Sequence, residues 1–530
     1  MNQNLSLALS SPLHPFKLSR RPLLPNQFLS ECVKILVFAV VGFLLAPARA
    51  DVTLPGLFSD NMVLQQGKPV AVWGRAEEGE AVNIEFRGQK VTTVARQGQW
   101  SAKLPALKAG GPDTLTVSGK NKIELRNVLV GEVWICSGQS NMEWPLRLAD
   151  QPEDDIAKSG NAMLRLLTVP KLKADEPVHD VKASWKECGS QTVSNFSAVA
   201  YYFGRDLQKA LGVPVGLIHT SWGGSPAEVW MSQSVLEGNP DYHASILQGY
   251  SIARQNYEKQ LALYDAEQAE LKKKGLASDK KPPVKPSWKP AELYNGMIAP
   301  LIPFAFQGAI WYQGESNAGR AHEYRTLFPD MIQNWRRDWG QGDFPFMAVQ
   351  LAPFKKIKDN PGESDWAELR EAQVLATKVL PKVGAAVITD VGEENNIHPR
   401  KKEPVGARLA LAARGIAYGQ KIVYSGPAYR SMKIEEDKIV LSFDHVGSGL
   451  ESRGGSLKGF AIAGEDRKFV WANAQIAGDK VIVSSPEVVK PVAVRFGWAD
   501  YPVVNLWNKN GLPASPFRTD EFPMITAPRK

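Results

Sequence analysis

Cysteine is scarce in this chain: 530 residues contain Cys32, Cys136 and Cys188 and no others. No cluster of them suggests a metal or redox site. Cys136 and Cys188 could pair in an oxidising compartment, but two unrelated buried thiols is the simpler expectation. Charge of one sign is scarce too. The formal net charge is +8, and half of it sits in the first fifty residues, where Lys17, Arg20, Arg21, Lys34 and Arg49 face Glu31 alone. The remainder is too small to argue for nucleic acid as a partner. Long hydrophobic runs are missing as well. Ile35 to Ala46 is a twelve-residue apolar run behind Lys34, followed by Pro47-Ala48-Arg49-Ala50. It is too short to span a bilayer comfortably and has the layout of a signal peptide: charged n-region, h-region and small-x-small cleavage site. The expectation is a leader over residues 1–50 and a secreted or periplasmic chain starting near Asp51, with no membrane contact after cleavage. An uncleaved anchor is the alternative. No internal repeat is visible, and the Gly-x-Ser-x-Gly elbow of the α/β-hydrolases does not describe the serine singled out below.

What is present is globular material. Hydrophobic residues make up 44%, charged residues 22%, and there are fifteen tryptophans. The length is too great for one core. Residues 51–127 read as an N-terminal β domain, from short strands such as Val70–Trp73, Val82–Phe86, Val91–Val94 and Thr114–Val117 separated by Gly-rich turns. From 128 to 418 strands and helices alternate, which implies α/β architecture and a parallel sheet with active loops at its C-terminal edge. Val128–Ile135 is a buried strand, Phe196–Leu211 a helix, Val213–Ile218 a strand. Ala309–Tyr312, Phe344–Gln350 and Val387–Asp390 are further strands, with helices over His322–Trp335 and Val405–Ala413. Residues about 233–290 interrupt this rhythm as a helical insertion. One apolar stripe, Tyr257, Leu261, Tyr264 and Leu271, marks a helix, and Lys280 to Pro286 is a stiff basic linker. Residues 419–530 return to β character.

The chemistry concentrates in four loops at strand ends. The strand ending at Ile135 runs through Ser137-Gly138 and delivers Ser140 where Asn141, Met142 and Glu143 open a helix. Backbone N–H groups at such a junction favour negative charge, so Ser140 is a nucleophile candidate; a helix cap is the plain alternative. The second loop holds Gly223-Gly224, the third Gln313-Gly314-Glu315-Ser316-Asn317, and the fourth His398. A serine hydroxyl needs a base, which histidine supplies near neutral pH, and a tetrahedral oxyanion needs donors, which glycine N–H groups and an asparagine amide supply. Each piece is weak alone, and His179, His219, His243, His322 and His445 read as structural or surface residues. The order Ser, Gly, Asn, His on successive strand ends is much harder to dismiss.

These motifs resemble the SGNH, or GDSL-like, hydrolase superfamily, and more closely the sialate O-acetylesterase family, which is related to acetyl-xylan esterases. The resemblance rests on Gly131–Trp134 through Gly138–Trp144, Ser221–Pro226, Trp311–Asn317, Ile397-His398-Pro399, and the tail Asn505–Asn508 with Gly511–Asp520. It implies an SGNH-type three-layer α/β domain with flanking β-sandwich-like modules. It also implies Ser140 as nucleophile, His398 as base, and an oxyanion hole from the Ser140 and Gly224 N–H groups with the Asn317 side chain; Gln313 is a second donor candidate. An acetylated carbohydrate would be the substrate, sialic acids first and acetylated xylan or another polysaccharide second, and no metal or cofactor is called for. One departure stands out. The aspartate that many SGNH enzymes carry three residues before the histidine is Asn395 here. An Asp-to-Asn change in a triad can cost about 10⁴ in rate. Glu393, Glu394, Asp390 or Glu315, or a backbone carbonyl, are left to orient His398. A weakened enzyme that only binds glycan is the reading of another class.

Overall fold

The strand that the apolar run marks is longer than its hydrophobic part. In the computed structural model, which describes residues 51–528, it spans Lys122–Gly138 (β1). Its first six residues alternate between exposed and covered, whereas every residue from Val128 to Gly138 is buried. That change of pattern is a change of neighbours. The first half pairs antiparallel with Gly110–Ser118 of the N-terminal β segment, and the second half lies in a parallel sheet covered on both faces. The boundary expected at 127/128 thus falls inside one continuous strand, and the leader expected over 1–50 lies outside the described residues.

The parallel sheet adds Asn161–Thr168 (β2), Val215–Ser221 (β3), Gly308–Tyr312 (β4), Phe346–Val349 (β5) and Val383–Ala386 (β6). Their spatial order is β6-β5-β4-β1-β3-β2, with Lys186–Cys188 antiparallel at the edge. Alternate residues of β1 feed opposite cores, as the strand's two-residue period requires. Val133 and Ile135 join the cluster of Trp311, Trp335 and Leu369, while Trp134 and Cys136 join that of Phe203, Leu207 and Leu409. The second face is closed by the helices Ala198–Leu211 and Glu403–Ile416, the first by Ala321–Trp339 and Asp365–Val379. This is a three-layer α/β arrangement, extended by antiparallel strands.

Two elements differ from the sequence reading. The last strand is Val383–Ala386, and Val387–Asp390 form the loop after it. Its Val-Gly-Ala-Ala composition hides it from a search for β-branched runs; the small residues are there because a helix packs close, and a Cβ on Gly384 would meet Ile416 and Met347 within 3 Å. The helix Asp365–Val379 was also not anticipated. Ser364 caps it by accepting from the Ala367 N–H, and Trp366, Leu369, Ala372, Gln373 and Ala376 supply a helical stripe.

The insertion contains the helix Gly249–Lys273, which has no fully buried residue. Its stripe residues Tyr257, Leu261, Tyr264 and Leu271 are half-buried, and the Tyr264 hydroxyl donates to the Lys280 carbonyl of the basic linker at 3.1 Å. Beyond residue 419, two four-stranded sheets enclose a core of Ile439, Leu441, Phe460, Val481, Val494 and Phe496. The buried Arg370 guanidinium holds this module to the α/β unit, donating to the carbonyls of Leu351, Ala352, Ala499 and Asp500. Cys136 and Cys188 are unpaired and buried.

At Gly138 the fold sets up the site. Its φ is +139°, and a Cβ there would lie 2.2 Å from the Tyr312 carbonyl oxygen. Both the conformation and the space exclude a side chain. Gly138→Ala is expected to cost roughly 3 kcal/mol of stability, measured by urea unfolding, and to lower activity through the displaced loop that follows.

Candidate active site

β1 and β4 are neighbours whose onward connections run to opposite sides of the sheet, which makes the crevice beyond their C-terminal ends a topological switch point. Ser140 leaves β1 there, and residues 313–317 leave β4. Gln139 donates its N–H to the Tyr312 carbonyl at 2.9 Å, and its side-chain oxygen accepts from Ser316 N–H at 3.3 Å, so the two loops are tied together. Ser140 opens the short helix Ser140–Glu143 and remains partly exposed. Its N–H, in the first turn, has no acceptor earlier in the helix.

His398 comes from the loop before the helix Glu403–Ile416, and its Nε2 lies 2.8 Å from Ser140 Oγ. The predicted pair is brought together across 258 residues of chain. Gly223 packs against the same serine: a Cβ on it would sit 3.2 Å from the Ser140 Cβ, and its N–H donates to Glu143 Oε2 at 2.7 Å. Gly224, at φ +77°, is exposed, and its N–H meets no acceptor among the described residues. It is thus available as an oxyanion donor, whereas the Gly223 N–H is not.

Asn317 is buried, and its side chain is heavily engaged. Its oxygen accepts from Ala227 N–H at 2.9 Å and Gln313 Nε2 at 2.7 Å, and its Nδ2 donates to Glu228 at 3.0 Å. One amide hydrogen is left for a substrate oxyanion. Gln313 has none: its Nε2 donates to Asn317 and to the Ser225 carbonyl, and its oxygen accepts from the Tyr324 hydroxyl. It braces Asn317 and does not serve as a second donor. Among the described residues, no group of three His, Cys, Asp or Glu side chains is placed to hold a metal ion.

A second Ser–His contact exists, between His219 Nε2 and Ser221 Oγ at 2.6 Å. Both residues are buried, and burial holds the His219 imidazole down to about 4. It is a neutral structural histidine.

Comparisons with known proteins give the family of the chain. The family described as "Carbohydrate esterase, sialic acid-specific acetylesterase" matches residues 130–267 and 284–414. The sialate O-acetylesterase of Homo sapiens is 29% identical over 510 residues, spanning 87% of this chain and 91% of the human protein. That of Mus musculus is 28% identical over 517 residues, 88% of this chain and 94% of its own. The crystal structure of a carbohydrate acetylesterase from Xanthomonas citri superimposes with a TM-score of 0.77 at 41% identity, covering 89% of this chain and 100% of that one. The chain belongs to the sialic acid-specific acetylesterase family. It is a carbohydrate esterase, a carboxylic ester hydrolase.

In this esterase, the surroundings of His398 depart from the Asp–His pairing weighed in the sequence. Among the described residues, no carboxylate accepts a hydrogen bond from its ring. Asp390 is held by both arms of Arg408, and Glu394 accepts from Ile357 N–H. Glu393 accepts from Asn396 Nδ2 and Arg400 N–H, and Glu315 from Asn141 Nδ2. Asn395 is exposed and makes no side-chain hydrogen bond among the described residues. Other contacts hold His398 in place. Asn396 clamps its backbone, accepting its N–H at 3.0 Å and donating to its carbonyl at 2.9 Å, and Asn141 Nδ2 donates to the Ile397 carbonyl at 3.0 Å. The Trp144 ring stacks on the imidazole, centroids 5.2 Å apart and 22° between planes. Neither Trp144 nor Asn396 was anticipated in a role here; their nearness to Ser140 and His398 in the chain was the available signal.

Below the pair lies Lys402, 1% exposed, donating to Asn141 Oδ1 and set against the Trp144 and Tyr312 rings at 5.8 and 5.3 Å. Burial brings the Lys402 ammonium down to about 7, against the opposing pull of Glu315 and Glu393. Burial likewise raises the Glu315 carboxyl, whose Oε2 has no partner. The His398 imidazole is lowered below its ordinary value by desolvation first and the Lys402 charge second.

Two outcomes follow. Because stacking orients the ring, Trp144→Ala should lower kcat about 10-fold or more while Trp144→Phe retains most of it, read in steady-state kinetics. Since the base acts when neutral and its affinity for the proton is lowered, the acidic limb of kcat/KM should fall below pH ~6.5. In Lys402→Met the opposing charge is gone, so the limb should move to higher pH.

Proposed function

We propose that this chain removes O-acetyl groups from carbohydrate through an acetyl-serine intermediate, with Ser140 as nucleophile and His398 as general base. The contact of 2.8 Å between His398 Nε2 and Ser140 Oγ, at the switch point of the sheet, carries the reading. In the forward step His398 takes the Ser140 proton as Oγ bonds to the acetyl carbon. The oxyanion faces the N–H groups of Ser140 and Gly224 and the remaining amide hydrogen of Asn317. Collapse breaks the bond to the sugar oxygen, which leaves as a hydroxyl with the proton from His398. Water, deprotonated by the same imidazole, then releases acetate. The free Gly224 N–H and the exposed Ser140 hydroxyl support this, and pure glycan binding requires neither.

O-acetylated sialic acid is the first substrate class, by analogy with the human and mouse sialate O-acetylesterases. An acetylated neutral polysaccharide is a second reading, favoured by one observation. The cations beside the site are already paired: Lys171 with Glu143, Lys173 with Glu292, and Arg320 with Glu228 and Glu323. A sialate carboxylate calls for an unpaired one. Export through a cleaved leader belongs to the same proposal and rests on residues 34–50 alone. Ser140→Ala should reduce acetate release from acetylated sialic acid and acetylated xylan by about 10³-fold or more. Release that persists in the variant removes Ser140 as nucleophile, and the preferred wild-type substrate separates the two readings.

A further inference from the structure

Nine of the fifteen tryptophans are buried, and six keep exposed surface. Three of those six are linked to the site: Trp144, stacked on His398, Trp222, the neighbour of Gly223, and Trp288, which meets Trp222. Trp222 precedes the Gly223 that packs on the serine. Trp288 arrives from the far end of the insertion and meets Trp222 edge to face, centroids 5.6 Å apart at 89°. The two rings form a corner open to solvent, and neither indole N–H donates to a protein acceptor among the described residues. Lys173 Nζ lies 4.1 Å from the Trp288 centroid and 5.6 Å from that of Trp222, and Lys171 Nζ lies 5.3 Å from Trp222. Lys171 is bound in turn to Glu143, which holds the Gly223 N–H, so the corner is connected to the nucleophile's own helix.

We propose that Trp222 and Trp288, with Lys171 and Lys173 lying over one side of the pair, form the subsite that holds the pyranose ring of the acetylated sugar while its ester faces Ser140. The assignment rests on the reading of Ser140 as nucleophile. Aromatic faces offer an apolar surface to the C–H face of a sugar, while free indole N–H groups and lysine ammonium groups bind its hydroxyls. Both indoles rest against the main core on one side and keep part of their surface exposed on the other. Trp222 and Trp288 are specificity-determining residues here; the bond-making groups remain those named above.

The test compares wild type, Trp288→Ala, Trp288→Phe and Ser140→Ala on p-nitrophenyl acetate, 9-O-acetylated N-acetylneuraminic acid and acetylated xylo-oligosaccharide. Trp288→Ala should lose about 10-fold more kcat/KM on the sugar ester that wild type hydrolyses than on the aryl ester. The excess should lie in KM, and Trp288→Phe should recover most of it. The sugar ester whose ratio moves names the source of the pyranose. Equal losses on sugar and aryl esters, or cleavage of the aryl ester alone by wild type, would overturn the subsite. Should the alanine variant not fold, Lys173→Met carries the same ratio. Ser140→Ala that still cleaves the aryl ester would instead overturn the nucleophile assignment, a result distinct from failure of the subsite.

Discussion

The close approach of two parallel strands at Gly138 and Tyr312 is the constraint from which the site follows. A carbonyl oxygen occupies the place where any larger residue would put its Cβ. The β1 and β4 backbones therefore end side by side, and the loops that follow must interlock. The Gln139 N–H satisfies the Tyr312 carbonyl, and the Gln139 side chain reaches the backbone of the 314–316 loop. Since buried backbone groups require partners, this closure leaves the loops little freedom. Ser140 inherits its position from it, and Asn317 inherits its own from Gln313 and Ala227 on the other side.

The lack of a carboxylate on His398 becomes intelligible when the role of a triad acid is divided. One part is orientation and the other is stabilisation of the imidazolium. Orientation is supplied by contacts that carry no charge: the Trp144 stack, the Asn396 clamp and the Asn141 bond to the Ile397 carbonyl. Stabilisation is opposed by Lys402, whose charge faces the imidazole. A buried lysine whose proton affinity is much reduced is a weaker opponent at neutral pH than in acid, because it is partly neutral there. The arrangement suits a base that must be neutral to begin the reaction, and it penalises the enzyme mainly on the acid side.

Much of this was readable from the chain. The second half of β1, the first half of β3 and all of β4 are largely apolar because both faces are buried, and that pattern survives without any structural knowledge. Ser140, Gly224, Asn317 and His398 stood out because each follows a strand and carries the right chemistry. The strand Val383–Ala386 was missed for the opposite reason: close helix packing selects Gly and Ala, which have no β signature. Gln313 looked like a donor because an amide can donate; only the three-dimensional count of its partners shows both hydrogens spent. The fate of the acid was likewise illegible. Ring stacking by Trp144 and the alternative partners of Asp390, Glu393 and Glu394 are tertiary facts that no local spacing encodes.

The insertion illustrates how topology turns a remote segment into part of a site. β3 ends at Ser221, on the same sheet edge from which Ser140 emerges, so whatever follows it begins close to Ser140. The helix Gly249–Lys273 extends away, with no buried residue, and the basic linker folds back along its tyrosine stripe. That return is what brings Trp288 to Trp222. The break in the family match, residues 268–283, coincides with the far end of the excursion, while Trp288 lies within the second matched stretch. The tip of the segment thus lies outside the family match while its base lies within it. The core need not repack for change at the tip, because the helix Gly249–Lys273 contributes no buried residue to it, whereas Leu236, Tyr242 and Ile246 at the base do.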